Sequence, residues 1–148
     1  MKKTLLLLTL IAPLLGGCIV PVSVTPNLCR EIQTRDGVQI RLMFGLTRPD
    51  GSIIDGDDWQ NFVDSEITPR FPAGFTVIDA QGQWYDAAGH RIIREASRIV
   101  WIVAPSSDRN LQPYLKAIRQ AYQKRFSQQA VGLAIQSGCS SFENVPVE

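Results

Sequence analysis

The sequence predicts one α+β domain, built in the order strand, helix, strand, strand, helix, strand around a four-stranded antiparallel sheet. Three observations carry that expectation. Apolar residues alternate at every second position in some segments, as one face of a strand requires, and recur at helical spacing in others. Residues with turn chemistry punctuate the joins. Removing an N-terminal export segment of 17 residues from the 148 leaves 131, enough for one core and too few for two ordinary domains.

In the first strand Val38, Ile40, Leu42, Phe44 and Leu46 point one way, and Gln39, Arg41, Met43 and Gly45 the other. Arg48-Pro49-Asp50-Gly51 then supplies a turn, proline fixing φ and glycine permitting the exit. In the helix that follows, Asp55 can cap the N-terminus and Asp57 and Asp58 suit the dipole. Trp59, Phe62, Val63 and Ile67 share one face until Pro69 stops it. Gly74 to Tyr85 has strand character, with Gly82 read as a bulge, and Asp86-Ala87-Ala88-Gly89 reads as a hairpin turn. The return strand runs from Arg91 to Val103. Its second half, Ile99-Val100-Trp101-Ile102-Val103, is apolar on both faces, which a strand tolerates only when both are covered. A second helix starts between Ser107 and Asn110, burying Leu111, Leu115, Ile118, Tyr122 and Phe126 and turning Lys116, Arg119 and Lys124 outward. Val131, Leu133 and Ile135 alternate in a last strand.

Right-handed crossovers place the first and third strands centrally, the fourth beside the first and the second on the far edge. Both helices then lie on one face, which is the ferredoxin-like βαββαβ arrangement. Whichever parity the third strand adopts, its other face leaves an apolar patch uncovered. A homodimer paired sheet to sheet is the simplest cover, and a tail carrying Phe142 and Val145 is the alternative.

Lys2 and Lys3 precede an apolar run from Leu5 to Leu15, far short of the ~20 residues a membrane-spanning helix needs, so residues 1–17 read as a cleaved signal peptide. Leu15-Gly16-Gly17-Cys18 is similar to the lipobox of bacterial lipoproteins, which implies that Cys18 is lipidated and becomes the first mature residue. Ile19 rather than Asp after it resembles the pattern sorted to the outer membrane. Residues 18–28, with Pro21 and Pro26, read as a lipidated N-terminus and extended tether, and residues 29–148 as the domain. The expected location is the bacterial envelope, at the outer membrane facing the periplasm.

Without Lys2 and Lys3 the chain carries 13 basic and 14 acidic residues, so no net field recruits nucleic acid. After lipidation of Cys18, the remaining Cys29 and Cys139 form an even pair in a compartment that permits disulfides. The strand order brings the end of the fourth strand to the start of the first, and hence Cys139 toward Cys29. A nucleophilic cysteine would need a base, and the only histidine, His90, falls on a turn.

Thr68-Pro69-Arg70-Phe71-Pro72-Ala73-Gly74-Phe75-Thr76-Val77, then Asp79-Ala80-Gln81-Gly82-Gln83-Trp84 and Arg94-Glu95, resemble a bacterial family catalogued as domain of unknown function 3574. The resemblance extends from Cys29 to about Phe142, taking in Phe44-Gly45-Leu46, Trp59, Phe62, Tyr122, Arg125 and Phe126. It implies an exported, often lipid-anchored protein of ferredoxin-like character, and it brings no activity and no catalytic residues.

Arg70, Asp79, Trp84, Arg94 and Glu95 form the candidate polar cluster, because the hairpin brings Asp79 across from the Arg94 to Ser97 stretch. An acid and a base beside an aromatic ring can line a pocket, and the same charges can simply pair with one another to blunt a sheet edge. Asp55, Asp57 and Asp58 miss the spacing of a calcium loop, and His90 alone makes no zinc set, so neither metal nor cofactor is expected. The leading expectation is an envelope lipoprotein acting as a protein-interaction or structural module, touching other envelope proteins or itself. The alternative is a small-molecule binder or enzyme with a pocket around Arg70, Asp79 and Glu95. A ligand-sized cavity holding one of those residues separates the two.

Overall fold

The structure, a computed structural model, describes residues 25–87 and 89–142. The signal segment, Cys18 and Val145 lie outside the described residues. The chain runs α1 (Thr25–Glu31), β1 (Arg35–Gly45), α2 (Gly56–Phe62) with a π-helical turn (Val63–Ile67), β2 (Thr76–Asp86), β3 (Arg91–Pro105), α3 (Leu111–Phe126) and β4 (Gly132–Ser140). The strands form one sheet in the order β2-β3-β1-β4, every neighbouring pair antiparallel. This is the ferredoxin-like α+β arrangement, with β1 and β3 central.

Alternation along the central strands decides which face is buried. Ile40, Leu42 and Phe44 of β1 and Val100, Ile102 and Ala104 of β3 meet Trp59, Phe62, Val63 and Ile67 of the first helical segment and Leu115, Ile118, Tyr122 and Phe126 of α3. Fully burying one such side chain stabilises the fold by roughly 1.5–3 kcal/mol. Five aromatic rings knit the centre: Phe44 meets Tyr122 at 4.7 Å, Trp59 at 5.3 Å and Phe62 at 5.9 Å, each edge to face, and Tyr122 meets Phe126 at 4.8 Å.

Three local expectations are corrected. The tether is not extended to residue 28, because a helix already begins at Thr25, where proline at position 26 fits a first turn that has no partner for its N–H. The helix after Asp55 does not stay α-helical to Pro69: it widens at Val63, where Thr68 N–H bonds to the Val63 carbonyl at 2.9 Å, five residues back. Gly82 is not a bulge, since β2 and β3 pair without interruption from Thr76↔Trp101 to Asp86↔Arg91. The Asp55 cap is present, its carboxylate accepting the Asp58 N–H at 2.8 Å.

Cys29 and Cys139 are joined by a disulfide, with Cα atoms 5.1 Å apart. It fastens α1 to the end of β4, beside the first residues of β1 (Asp36↔Cys139).

Candidate functional site

With Val100 and Ile102 turned to the helices, Ile99, Trp101 and Val103 face the opposite side of the sheet, and Trp101 keeps 36% of its surface exposed. Met43, Ile78 and Trp84 share that open face by register and are also exposed. Arg41 stacks its guanidinium over the Trp101 ring at 5.8 Å. Phe142 does not fold back over this face, because 85% of it is exposed.

The open face becomes concave at one end. β1 stops at Gly45, opposite Ser97, while the β2–β3 hairpin continues to the Asp86↔Arg91 pair. On the open face there, Gly45, Ala80, Gly82 and Ser97 present little or no side chain, which makes a low floor. Trp84 and Ile93 stand at the hairpin end and Met43 and Ile99 on the sheet side. The Thr47–Gly51 loop and the Gln128–Ala130 segment close the flanks of a cleft of about 780 Å³. Those flanks are tied together: Gln128 Nε2 donates to the Thr47 carbonyl at 2.7 Å. Arg48 holds its own loop by donating to the Ile53 carbonyl at 2.7 Å and pairing with Asp58.

Glu95 is the residue this geometry singles out. It lies opposite Gly82, two positions beyond the last residue of β3 that pairs with β1, and its side chain turns back over Gly45. One carboxylate oxygen accepts the Thr47 N–H at 3.2 Å and the other the Trp84 Nε1–H at 3.2 Å. A Cβ on residue 45 would stand 2.6 Å from both oxygens, so glycine there is what admits the carboxylate to the sheet. Among the described residues Glu95 has no ion-pair partner. Behind the sheet, the Tyr122 hydroxyl donates to the Gly45 carbonyl at 2.8 Å. Burial, with the nearby Glu95 charge adding to it, holds that phenol well above the ordinary tyrosine range.

The candidate polar cluster is therefore split. Trp84 and Glu95 come together in the cleft. Asp79 projects from the helix-covered face and pairs with Arg98 at 3.1 Å, and Arg98 stacks over Trp59 at 5.1 Å beside a shallow groove. Arg70 pairs with Glu66 at 3.1 Å and donates to the Glu66 carbonyl at 2.6 Å, closing the π-helical turn. Arg94 alternates with Glu95 and so leaves β3 on the other face, reaching only the rim. Asp79 and Arg70 thus have structural partners of their own, and the pocket expected around Arg70, Asp79 and Glu95 keeps only Glu95. His90 is exposed with φ of +50° in the hairpin connection. Among the described residues no three His, Cys, Asp or Glu side chains converge on a metal position, and no helix is long and apolar enough to cross a membrane.

A family model described as "Protein of unknown function (DUF3574)" matches residues 39–142. The chain belongs to this family. The match takes in the whole DUF3574 cleft, from Met43 to Gly132, and starts downstream of Cys29. No curated protein matches the chain. Among solved structures the DUF3574 domain is similar to a phage SAM lyase in complex with S-methyl-5'-thioadenosine, with a TM-score of 0.57 and 15% identity over 73% of this chain and 93% of that one. It is likewise similar to a phage SAM lyase in the apo state, with a TM-score of 0.54 and 17% identity over 76% of this chain and 91% of that one. At such identities the likeness is one of fold.

Proposed function

We propose that this domain is a small-molecule-binding module of the bacterial envelope, held there by a lipid on Cys18, with its ligand in the cleft at Glu95. The observation that carries the reading is the carboxylate itself, oriented by two N–H donors on the floor of a ligand-sized cleft. A concave, largely apolar site with a few converging polar groups is the usual form of a small-molecule site. That weighs against a purely structural module. No reaction is assigned: among the described residues, Glu95's hydrogen-bond partners are the Thr47 N–H and the Trp84 Nε1–H, neither of them a nucleophile or acid–base group.

The placement of the cleft agrees with an anchored role. The disulfide and α1 lie at the start of β1 and the cleft at its end, 9 residues further on by register (Asp36 to Gly45), a separation of about 30 Å. A lipid upstream of Cys29 joins the chain at the end of the sheet opposite the cleft. The fold likeness to the phage SAM lyases supplies the first probes, since one of them holds S-methyl-5'-thioadenosine. Calorimetric titration of the domain with that compound and with SAM, alongside native mass spectrometry of protein purified from envelopes, tests the proposal. A bound small molecule that Trp84→Ala releases is the expected result. Protein that carries no small molecule and takes up none would overturn it.

A second reading, self-association, has its own observation: Met43, Ile78, Trp84 and Trp101 lie on one face and each keeps more than a third of its surface exposed.

A further inference from the structure

We infer that the cleft selects a ligand with a positively charged sulfonium or ammonium centre, seated on the Glu95 carboxylate beside the Trp84 indole; this rests on the small-molecule reading above. The first support is a charge inventory of the lining. Arg48 is committed to Asp58, and Arg91 faces Asp86 at 3.7 Å. Arg94 leaves the hairpin on the opposite face. Glu95 is left as the charge presented on the cleft floor.

The second support is the cost of holding it there. A carboxylate laid against a sheet gives up part of its hydration, and two neutral N–H donors return hydrogen bonds without cancelling its charge. Gly45 has no side chain, so that the carboxylate can take this position. Met43, Ile93 and Ile99 line the same cleft and supply apolar surface on which the methyl or methylene groups of an onium ion can rest. Trp84 donates its Nε1–H to Glu95, which fixes the carboxylate and sets the indole beside it. A hydrated divalent metal fits this set poorly, because one carboxylate and no other acidic oxygen converge.

SAM and S-adenosylhomocysteine, which differ by one methyl group and the sulfonium charge, measure the inference directly. The native domain is expected to bind SAM at least ~10-fold more tightly, corresponding to about 1.4 kcal/mol. Glu95→Gln, which keeps the shape and removes the charge, should bring the two affinities within about twofold by weakening SAM alone. Gly45→Ala should do the same by displacing the carboxylate, with unfolding midpoints confirming that both variants are folded. Equal affinities in the native domain, or a preference that survives Glu95→Gln, would overturn the inference. If neither compound binds but a neutral molecule does, and Trp84→Ala releases it, the cation inference fails while the cleft remains a binding site. If nothing binds, both fail.

Discussion

Reduction of the Cys29–Cys139 bond should destabilise the domain in two separable steps. The bond closes a loop with a sequence separation of 110, for which the chain-entropy model gives about 5 kcal/mol at 25 °C. For a domain of this size that corresponds to a fall in melting temperature of roughly 15–20 °C. The structure adds a local effect. Of the α1 side chains described, Cys29 is buried and Leu28 is 50% exposed, and Ile32 just after the helix is 55% exposed. Thr34 adds a pair of bonds, its N–H and hydroxyl reaching the Cys29 carbonyl at 2.7 and 3.0 Å. Reduced protein should therefore lose protection from amide hydrogen exchange in α1 while β1 and α3 stay protected, and should then unfold globally at lower urea. Urea melts with and without dithiothreitol, with exchange read by mass spectrometry, check both steps. Coincident melting midpoints, or two titratable thiols in the folded oxidised protein, would refute the reasoning.

Phe62→Ala removes a ring that touches Phe44, Trp59, Tyr122 and Phe126, and should cost about 3–5 kcal/mol in chemical denaturation. Tyr122→Phe loses the hydrogen bond to the Gly45 carbonyl and should cost about 1 kcal/mol. It should also flatten the alkaline limb of stability. The Tyr122 phenol is raised in the folded state, so native protein holds its proton while unfolded protein loses it above the ordinary value of about 10, and stability falls as pH rises past that point. Cys18→Ala should leave an uncleaved precursor retaining residues 1–17, visible by mass spectrometry as a mature form that never appears. Sedimentation of the soluble domain should reveal self-association that Trp101→Lys abolishes, because the open face exposes a large ring to water; a native domain that stays monomeric at tens of micromolar would refute that cover for the sheet.

Where packing determines conformation, the residues announced the fold. The alternation of Ile40, Leu42 and Phe44 and the helical stripe Leu115, Ile118, Tyr122 and Phe126 are both core, because burial rewards only one periodicity in each. The third strand, apolar at every position from Ile99 to Val103, predicted a second apolar face and could not predict its cover. The elements that escaped are those in which burial has little say. α1 buries Cys29 and is joined through it to a cysteine 110 residues away. The π-helical turn changes only which carbonyl receives Thr68 N–H, and the apolar stripe through Phe62, Val63 and Ile67 reads the same with or without it.

The cleft is harder to read for a related reason: what makes it is missing side chains. Gly82 suggested a bulge because glycine weakens a strand, yet the ladder continues through it and its bareness contributes to a low floor. Gly45 looked like one small outward residue in an alternating strand; its role appears only when β3 brings Glu95 back over it from 50 residues away. Of the polar set chosen from sequence, the structure brings Trp84 and Glu95 together because hairpin register is local. It failed for Asp79 and Arg70 because strand parity sends Asp79 to the helix face and the last helical turn gives Arg70 its own partner, Glu66. A register that placed Asp79 opposite Ser97 would have put it in the cleft; the observed Asp79↔Arg98 pairing differs by one residue, and one residue turns a side chain to the opposite face.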